Sequence, residues 1–217
     1  MPKAVIFDLG GVFIDWDPRY LYRKLFGAHV GEMEDFLANV CTRAWHDEQD
    51  RGKPTAQACA ELAAAHPEQA WLVNAWALRN EEMVGGITEG SVGVLAELKA
   101  AGVPCYVLSN MEYESWQRRL KLYEFLSWFD GYVISALVGT AKPDREIFEL
   151  ALDRFGLQPA DALFVDDNRA NVAAAAELGI QAVLFSSPGA LRDVLVAAGL
   201  LGRPRPAGAP EPLAGGP

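Results

Sequence analysis

The sequence predicts an α/β protein: a parallel sheet with helices on both faces, carrying an all-helical insertion after the first strand. Three observations predict it. The 217-residue chain opens on Ala4-Val5-Ile6-Phe7, an apolar run that stops at Asp8 and is followed by Gly10 and Gly11. A short continuous apolar run bounded by glycines reads as a strand buried on both faces, which parallel sheets require. From 19 to 84 apolar residues recur at helical spacing without a strand-like run. From Gly85 apolar runs and amphipathic stretches alternate, which implies parallel strands joined by right-handed crossovers. The expected division is a Rossmann-like core over 1–15 and 86–202, a helical unit over 16–85, and a disordered tail of Pro, Gly and Ala over 203–217.

Each element has its own signal. Asp17-Pro18 marks a turn into helix, and Tyr20, Leu21 and Leu25 then share one helical face. Met33, Phe36, Leu37 and Val40 form a second such face, Ala58, Leu62 and Ala65 a third, and Trp71, Trp76 and Leu78 a fourth. The tryptophans of that last group read as core of the insertion. The pattern is interrupted by the polar stretch 45–52, with Pro54-Thr55 as a cap for the helix that follows. A helix over 92–101 is stopped by Gly102, and a buried strand over 103–108 ends in Ser109-Asn110. A helix over 113–123 leads to a short strand over 131–135, and Lys142-Pro143-Asp144 opens a helix over 146–155 closed by Gly156. The strand 162–165 stops at Asp166-Asp167-Asn168, a helix over 170–178 ends at Gly179, and 181–185 is the last strand.

Composition narrows the function classes. Half of the residues are hydrophobic, enough for a substantial core. A net charge of −10 opposes binding to nucleic acid or to an anionic membrane surface. Apolar runs are shorter than the ~20 residues that cross a bilayer, and no secretory pattern precedes the first strand. The expectation is a soluble cytoplasmic protein, monomer or homodimer. Cys41, Cys59 and Cys105 are odd in number and widely spaced, so they read as reduced packing residues rather than as disulfides or a zinc site.

Three strands thus end in polar groups at one edge of one sheet, with Lys142 at a helix start between the last two. Ligands of open α/β sheets bind at that edge. Asp8 alone could cap a turn, and one of Asp166 and Asp167 could cap a helix, but a cap needs only one carboxylate. Two adjacent acids facing a third repel unless a divalent cation joins them, and hard oxygen ligands suit Mg²⁺. Lys142 beside Pro143 and Asp144 then reads as a cation for an anionic intermediate.

Phe7-Asp8-Leu9-Gly10-Gly11-Val12, Leu108-Ser109-Asn110, Lys142-Pro143 and Phe164-Val165-Asp166-Asp167-Asn168, in that order, resemble the four motifs of the haloacid dehalogenase superfamily. The insertion resembles that family's C1 cap, and the first and fourth motifs look most like its bacterial sugar-phosphate phosphatases, including α-glucose-1-phosphate phosphatase. The resemblance implies Asp8 as nucleophile, forming an aspartyl-phosphate on a small phosphorylated substrate. It implies Mg²⁺ bound by Asp8, Asp167 and the carbonyl of Gly10, with Asp166 in the first or second ligand shell. Ser109 and Asn110 would hold phosphate oxygens, and Lys142 would offset charge on nucleophile and phosphate.

One position departs from the phosphatase pattern. The second aspartate expected two residues after the nucleophile is Gly10 here, and losing positioned proton transfer costs ~10²- to 10⁴-fold in rate. Asp15, Asp17 or His46 could supply the proton, or the substrate's leaving group could need little protonation, or turnover could be lost, leaving a phosphate-binding relative. Dehalogenases of the family also lack that aspartate, but they use no metal and carry small polar residues where this chain has Asp166-Asp167. Within the stretch 45–52, Trp45, His46 and Glu48 are candidates for touching the leaving group; the alternative is a solvated loop in which Trp45 packs.

Overall fold

A computed structural model of the chain describes residues 1–202; the tail expected over 203–217 lies outside the described residues. Five strands form one parallel sheet: β1 (Ala4–Phe7), β4 (Cys105–Ser109), β5 (Gly131–Ile134), β6 (Ala162–Asp166) and β7 (Gln181–Leu184), in the order β5-β4-β1-β6-β7. β1 is central, with Phe7 opposite both Val107 and Val165. That register brings Asp8 beside the ends of β4 and β6. The predicted fold class is the observed one.

Strand alternation divides the core. Val5, Phe7, Leu163 and Val165 face one cluster, while Ile6, Ala162 and Phe164 face another on the opposite side of the sheet. α6 (Glu89–Ala100) and α11 (Pro188–Ala197) cover the first face; α9 (Arg145–Phe155) and α10 (Arg169–Glu177) cover the second. Each buried large side chain contributes roughly 1.5–3 kcal/mol by leaving water. α7 (Tyr113–Leu122) and α8 (Ser135–Val138) flank the site edge.

The buried residues of a third cluster lie between Leu21 and Met83, from α1 (Arg19–Phe26), α2 (Val30–Asn39), α4 (Thr55–Ala65), α5 (Ala70–Leu78) and the segments that link them, with Trp16 packed against it. Its centre is Trp76, packed edge-on against Trp45 at 5.1 Å. Trp71, expected beside it, is exposed.

Two expectations are corrected here. The polar stretch 45–52 is not an interruption: α3 (Arg43–Asp50) runs through it, and the Thr42 hydroxyl accepts a hydrogen bond from Trp45 N at 3.1 Å to cap it. His46, Gln49 and Asp50 lie on one buried face at i, i+3 and i+4, but that face meets polar groups, so apolar periodicity could not reveal it. Thr55 does not cap α4; its hydroxyl instead lies 3.4 Å from Glu114.

The insertion is also not purely helical at its base. β2 (Ile14–Trp16) pairs antiparallel with β3 (Val84–Ile87), with Asp15 opposite Gly86 and Trp16 opposite Val84. Strands of three and four residues containing Gly85-Gly86 carry no readable period, and the pairing joins residues about 70 apart in sequence. No helix among the described residues is long and apolar enough to cross a membrane. Cys41, Cys59 and Cys105 are buried free thiols.

Candidate active site

Asp8 is placed by the sheet. Its N–H donates to Val165 O at 2.9 Å, which continues the β1–β6 ladder by one residue and turns the side chain over the strand ends. One carboxylate oxygen, Oδ1, is held from three sides: by Leu9 N at 2.7 Å, by the Ser109 hydroxyl at 2.7 Å and by Lys142 Nζ at 3.0 Å. Among the described residues no donor reaches the other, Oδ2. The carboxylate therefore cannot rotate freely, and one oxygen remains available to the cavity that Asp8 lines.

Lys142 is fully buried, and its ammonium has three acceptors: Asp8, Asp166 Oδ2 at 2.7 Å and Leu108 O at 2.8 Å. Three donors meet three acceptors, so the charge is both paired and oriented. Burial works against that charge, yet Asp8 and Asp166 hold the Lys142 ammonium above its ordinary range. Burial is also the main cause pushing the Asp8 carboxyl up to about 7, against the pull of Lys142 and with help from Asp166.

Asp166 is committed. Its oxygens accept from Lys142, from Asn171 Nδ2 at 3.1 and 3.0 Å, and from Asn168 N at 2.8 Å. Asn168 in turn caps α10 through Ala170 N at 2.9 Å. Asp167 differs: it forms no ion pair among the described residues, and burial followed by repulsion from Asp166 raises its carboxyl. Oxygens of Asp8, Asp166 and Asp167 all lie within 4.8 Å of one another. Gly11, at φ +68°, permits the approach of Asp167, because a Cβ there would stand 2.0 Å from Asp167 Oδ2.

Asn110, expected to hold phosphate oxygens, lines the cavity and also braces the lysine. Its side-chain amide pairs both ways with the Lys142 backbone, Nδ2 to O at 2.8 Å and Lys142 N to Oδ1 at 2.9 Å. It fixes the turn that delivers the lysine. Ser109 is likewise turned toward Asp8. Trp45 is not at the cavity wall: its indole N–H donates to Ala58 O at 3.3 Å and its ring packs on Trp76, within a helix rather than the solvated loop of the alternative. Glu48 is exposed and paired with Lys53 at 2.8 Å. His46 does line the cavity, stacked on Trp16 at 5.1 Å. Asp15 accepts from the Tyr20 hydroxyl at 2.6 Å, and Asp17 caps α1 through Arg19 N at 2.8 Å.

All of this surrounds one cavity of about 930 Å³ between the sheet edge and the insertion. Gly10, Asp167, Asn110 and Lys142 line one end, and Trp16, His46, Asp50, Glu112 and Arg119 line the other. A model of the haloacid dehalogenase-like hydrolase family matches residues 2–179. The chain belongs to that family. Among relatives of this hydrolase, a sesquiterpene phosphatase of Aspergillus oryzae is 28% identical over 190 residues, covering 82% of this chain and 87% of that one. A D-ribitol-5-phosphate phosphatase of Bacteroides thetaiotaomicron is 26% identical over 192 residues, covering 83% and 90%. In fold, this hydrolase matches a B. thetaiotaomicron enzyme of the same family solved with magnesium and inorganic phosphate. Its TM-score is 0.67 at 22% identity, over 86% of this chain and 96% of that one.

Sequence reasoning missed Asp50, Glu112, Arg119 and Asn171, all at least nine-tenths buried. His46 and Asp50 at i and i+4, and Glu112 and Arg119 two helical turns apart, are spacings that place each pair on one face. That signal was present, but charged pairs at such spacings ordinarily face solvent.

Proposed function

We propose that this hydrolase is a Mg²⁺-dependent phosphatase of a small phosphorylated metabolite, acting through an aspartyl-phosphate on Asp8. The observation that carries the reading is the asymmetry of Asp8, with Oδ1 fixed by three donors and Oδ2 free at the cavity. Asp8 Oδ2 attacks phosphorus, the bond to the leaving-group oxygen breaks, and that oxygen departs with the bonding electron pair, to be protonated by solvent. Water then attacks phosphorus, the Oδ2–P bond breaks, and inorganic phosphate leaves. A carboxylate nucleophile divides one difficult displacement into two easier ones. Lys142 keeps the nucleophile oriented and offsets charge as anionic oxygens gather beside Asp8.

The donor set fits a divalent cation. Among the described residues Asp167 is a carboxylate without a cationic partner, pressed against Gly11 and within reach of Asp8. Asp8, Asp167 and the Gly10 carbonyl would hold Mg²⁺, with Asp166 behind them anchoring Lys142. When bound, the ion supplies positive charge to the phosphoryl oxygens. With Gly10 in place of an acid, the chemistry favours a substrate whose leaving group needs little protonation, such as an anomeric sugar phosphate, an acyl phosphate or an aryl phosphate. The phosphatase relatives support this reaction class, and the acid pair Asp166-Asp167 supports it over metal-free dehalogenation.

The direct test is phosphate release from p-nitrophenyl phosphate and from a panel of phosphorylated metabolites. EDTA is expected to reduce release to background and added Mg²⁺ to restore it. No release from any substrate, or release indifferent to chelation, would sink the reading. Gly11→Ala probes the cation site separately, since its Cβ and positive φ force Asp167 aside. The Mg²⁺ concentration for half-maximal activity is expected to rise ~10- to 100-fold; an unchanged value would remove Asp167 from the site.

A further inference from the structure

His46 and Asp50 on α3 and Glu112 at the start of α7 converge at the far end of the cavity. His46 Nε2 lies 3.7 Å from Asp50 Oδ1 and 3.8 Å from Glu112 Oε2. One donor atom from each of the three residues falls within a single 4.8 Å cluster, and all three residues are buried. Among the described residues Nε2 and Asp50 Oδ1 have no hydrogen-bond partner, although Asp50 is only 2% exposed. Opposite charges this deeply buried ordinarily close to 2.7–2.9 Å. Here they are held apart by the scaffold: Ser115 and Asn80 fix the other Glu112 oxygen, and Arg43 lies 3.7 Å from the other Asp50 oxygen. Ligand atoms around a tetrahedral ion with bonds of about 2.0–2.1 Å stand about 3.4 Å apart, close to the separations found.

We propose that His46, Asp50 and Glu112 form a second metal site, for a divalent transition ion of the zinc type, which joins the helical insertion to the sheet domain. One imidazole and two carboxylates suit such an ion better than Mg²⁺, which prefers oxygen alone. Three protein ligands beside a cavity leave a fourth position open to water or a substrate oxygen. Charge agrees. Two carboxylates face one imidazole, and a divalent ion on the neutral ring balances both. Arg43 and Arg119 border the cluster: Arg43 pairs outward with Asp47 at 2.6 Å, and Arg119 helps keep Glu112 ionised.

The test reads metal rather than activity, so it stands or falls apart from the phosphatase reading. Full-length protein carrying Asp8→Asn and Asp167→Asn, which remove the other acidic site, is incubated with Zn²⁺, desalted and analysed for zinc. About one zinc per chain is expected, falling at least tenfold when His46→Gln is added. No retained zinc, or retention unaffected by His46→Gln, overturns the proposal. Should the His46→Gln chain not fold, Co²⁺ substitution of the double variant decides. The intense visible absorption of four-coordinate cobalt is expected, and weak six-coordinate absorption overturns the site.

Discussion

Asp8→Asn is expected to lower phosphate release from p-nitrophenyl phosphate by on the order of 10⁴-fold or more, the scale seen when a covalent nucleophile is removed. The amide keeps an oxygen for Leu9 N, Ser109 and Lys142, and it removes a carboxylate that burial already pushes up to about 7. Folding should therefore survive, with Tm unchanged or slightly raised. That combination is what gives the experiment its force. Lost activity with an intact melting transition assigns the chemistry to the missing oxygen nucleophile. Retained turnover in the variant would rule out the aspartyl-phosphate route.

Lys142→Met should have the largest effect on stability. Among the described residues the ammonium is the single cation paired with both Asp8 and Asp166, which are both buried, and it also satisfies Leu108 O. Methionine fills similar volume but leaves two carboxylates facing each other. Breaking a buried pair by removing one partner typically costs ~3–5 kcal/mol, and in a domain of this size each kcal/mol moves Tm by roughly 2–4 °C. A fall of about 10 °C in Mg²⁺-free buffer is expected by calorimetry, together with loss of activity. Saturating Mg²⁺ should recover part of the lost stability, because a ligand bound only by the native state stabilises it. A shift under 2 °C would mean that the lysine is not the electrostatic keystone of the sheet edge.

Much of this arrangement was legible before any coordinates. β1, β4 and β6 are apolar runs stopped by polar residues, and a parallel sheet necessarily brings such stops to one edge, so Asp8, Ser109 and Asp166-Asp167 could be placed together. What could not be read is what each polar atom touches. The hydroxyl of Ser109 on Asp8 and the paired amide of Asn110 on the Lys142 backbone are contacts that no sequence spacing announces. α3 escaped notice because its buried face is polar, and hydrophobic periodicity is blind to a helix that packs against charge. β2 and β3 escaped because each is too short to repeat a pattern, and what makes them strands is a partner far along the chain.

That small antiparallel pair has a consequence of its own. With Trp16 opposite Val84, the polypeptide leaves the five-stranded scaffold and returns to it through neighbouring positions. Everything between could be replaced by a two-residue hairpin turn, or by the equivalent segment of another protein, without rerouting a single strand. The architecture thus invites transplantation: a chimera bearing a foreign helical segment would keep its reaction centre while acquiring a different roof and, with it, a different appetite.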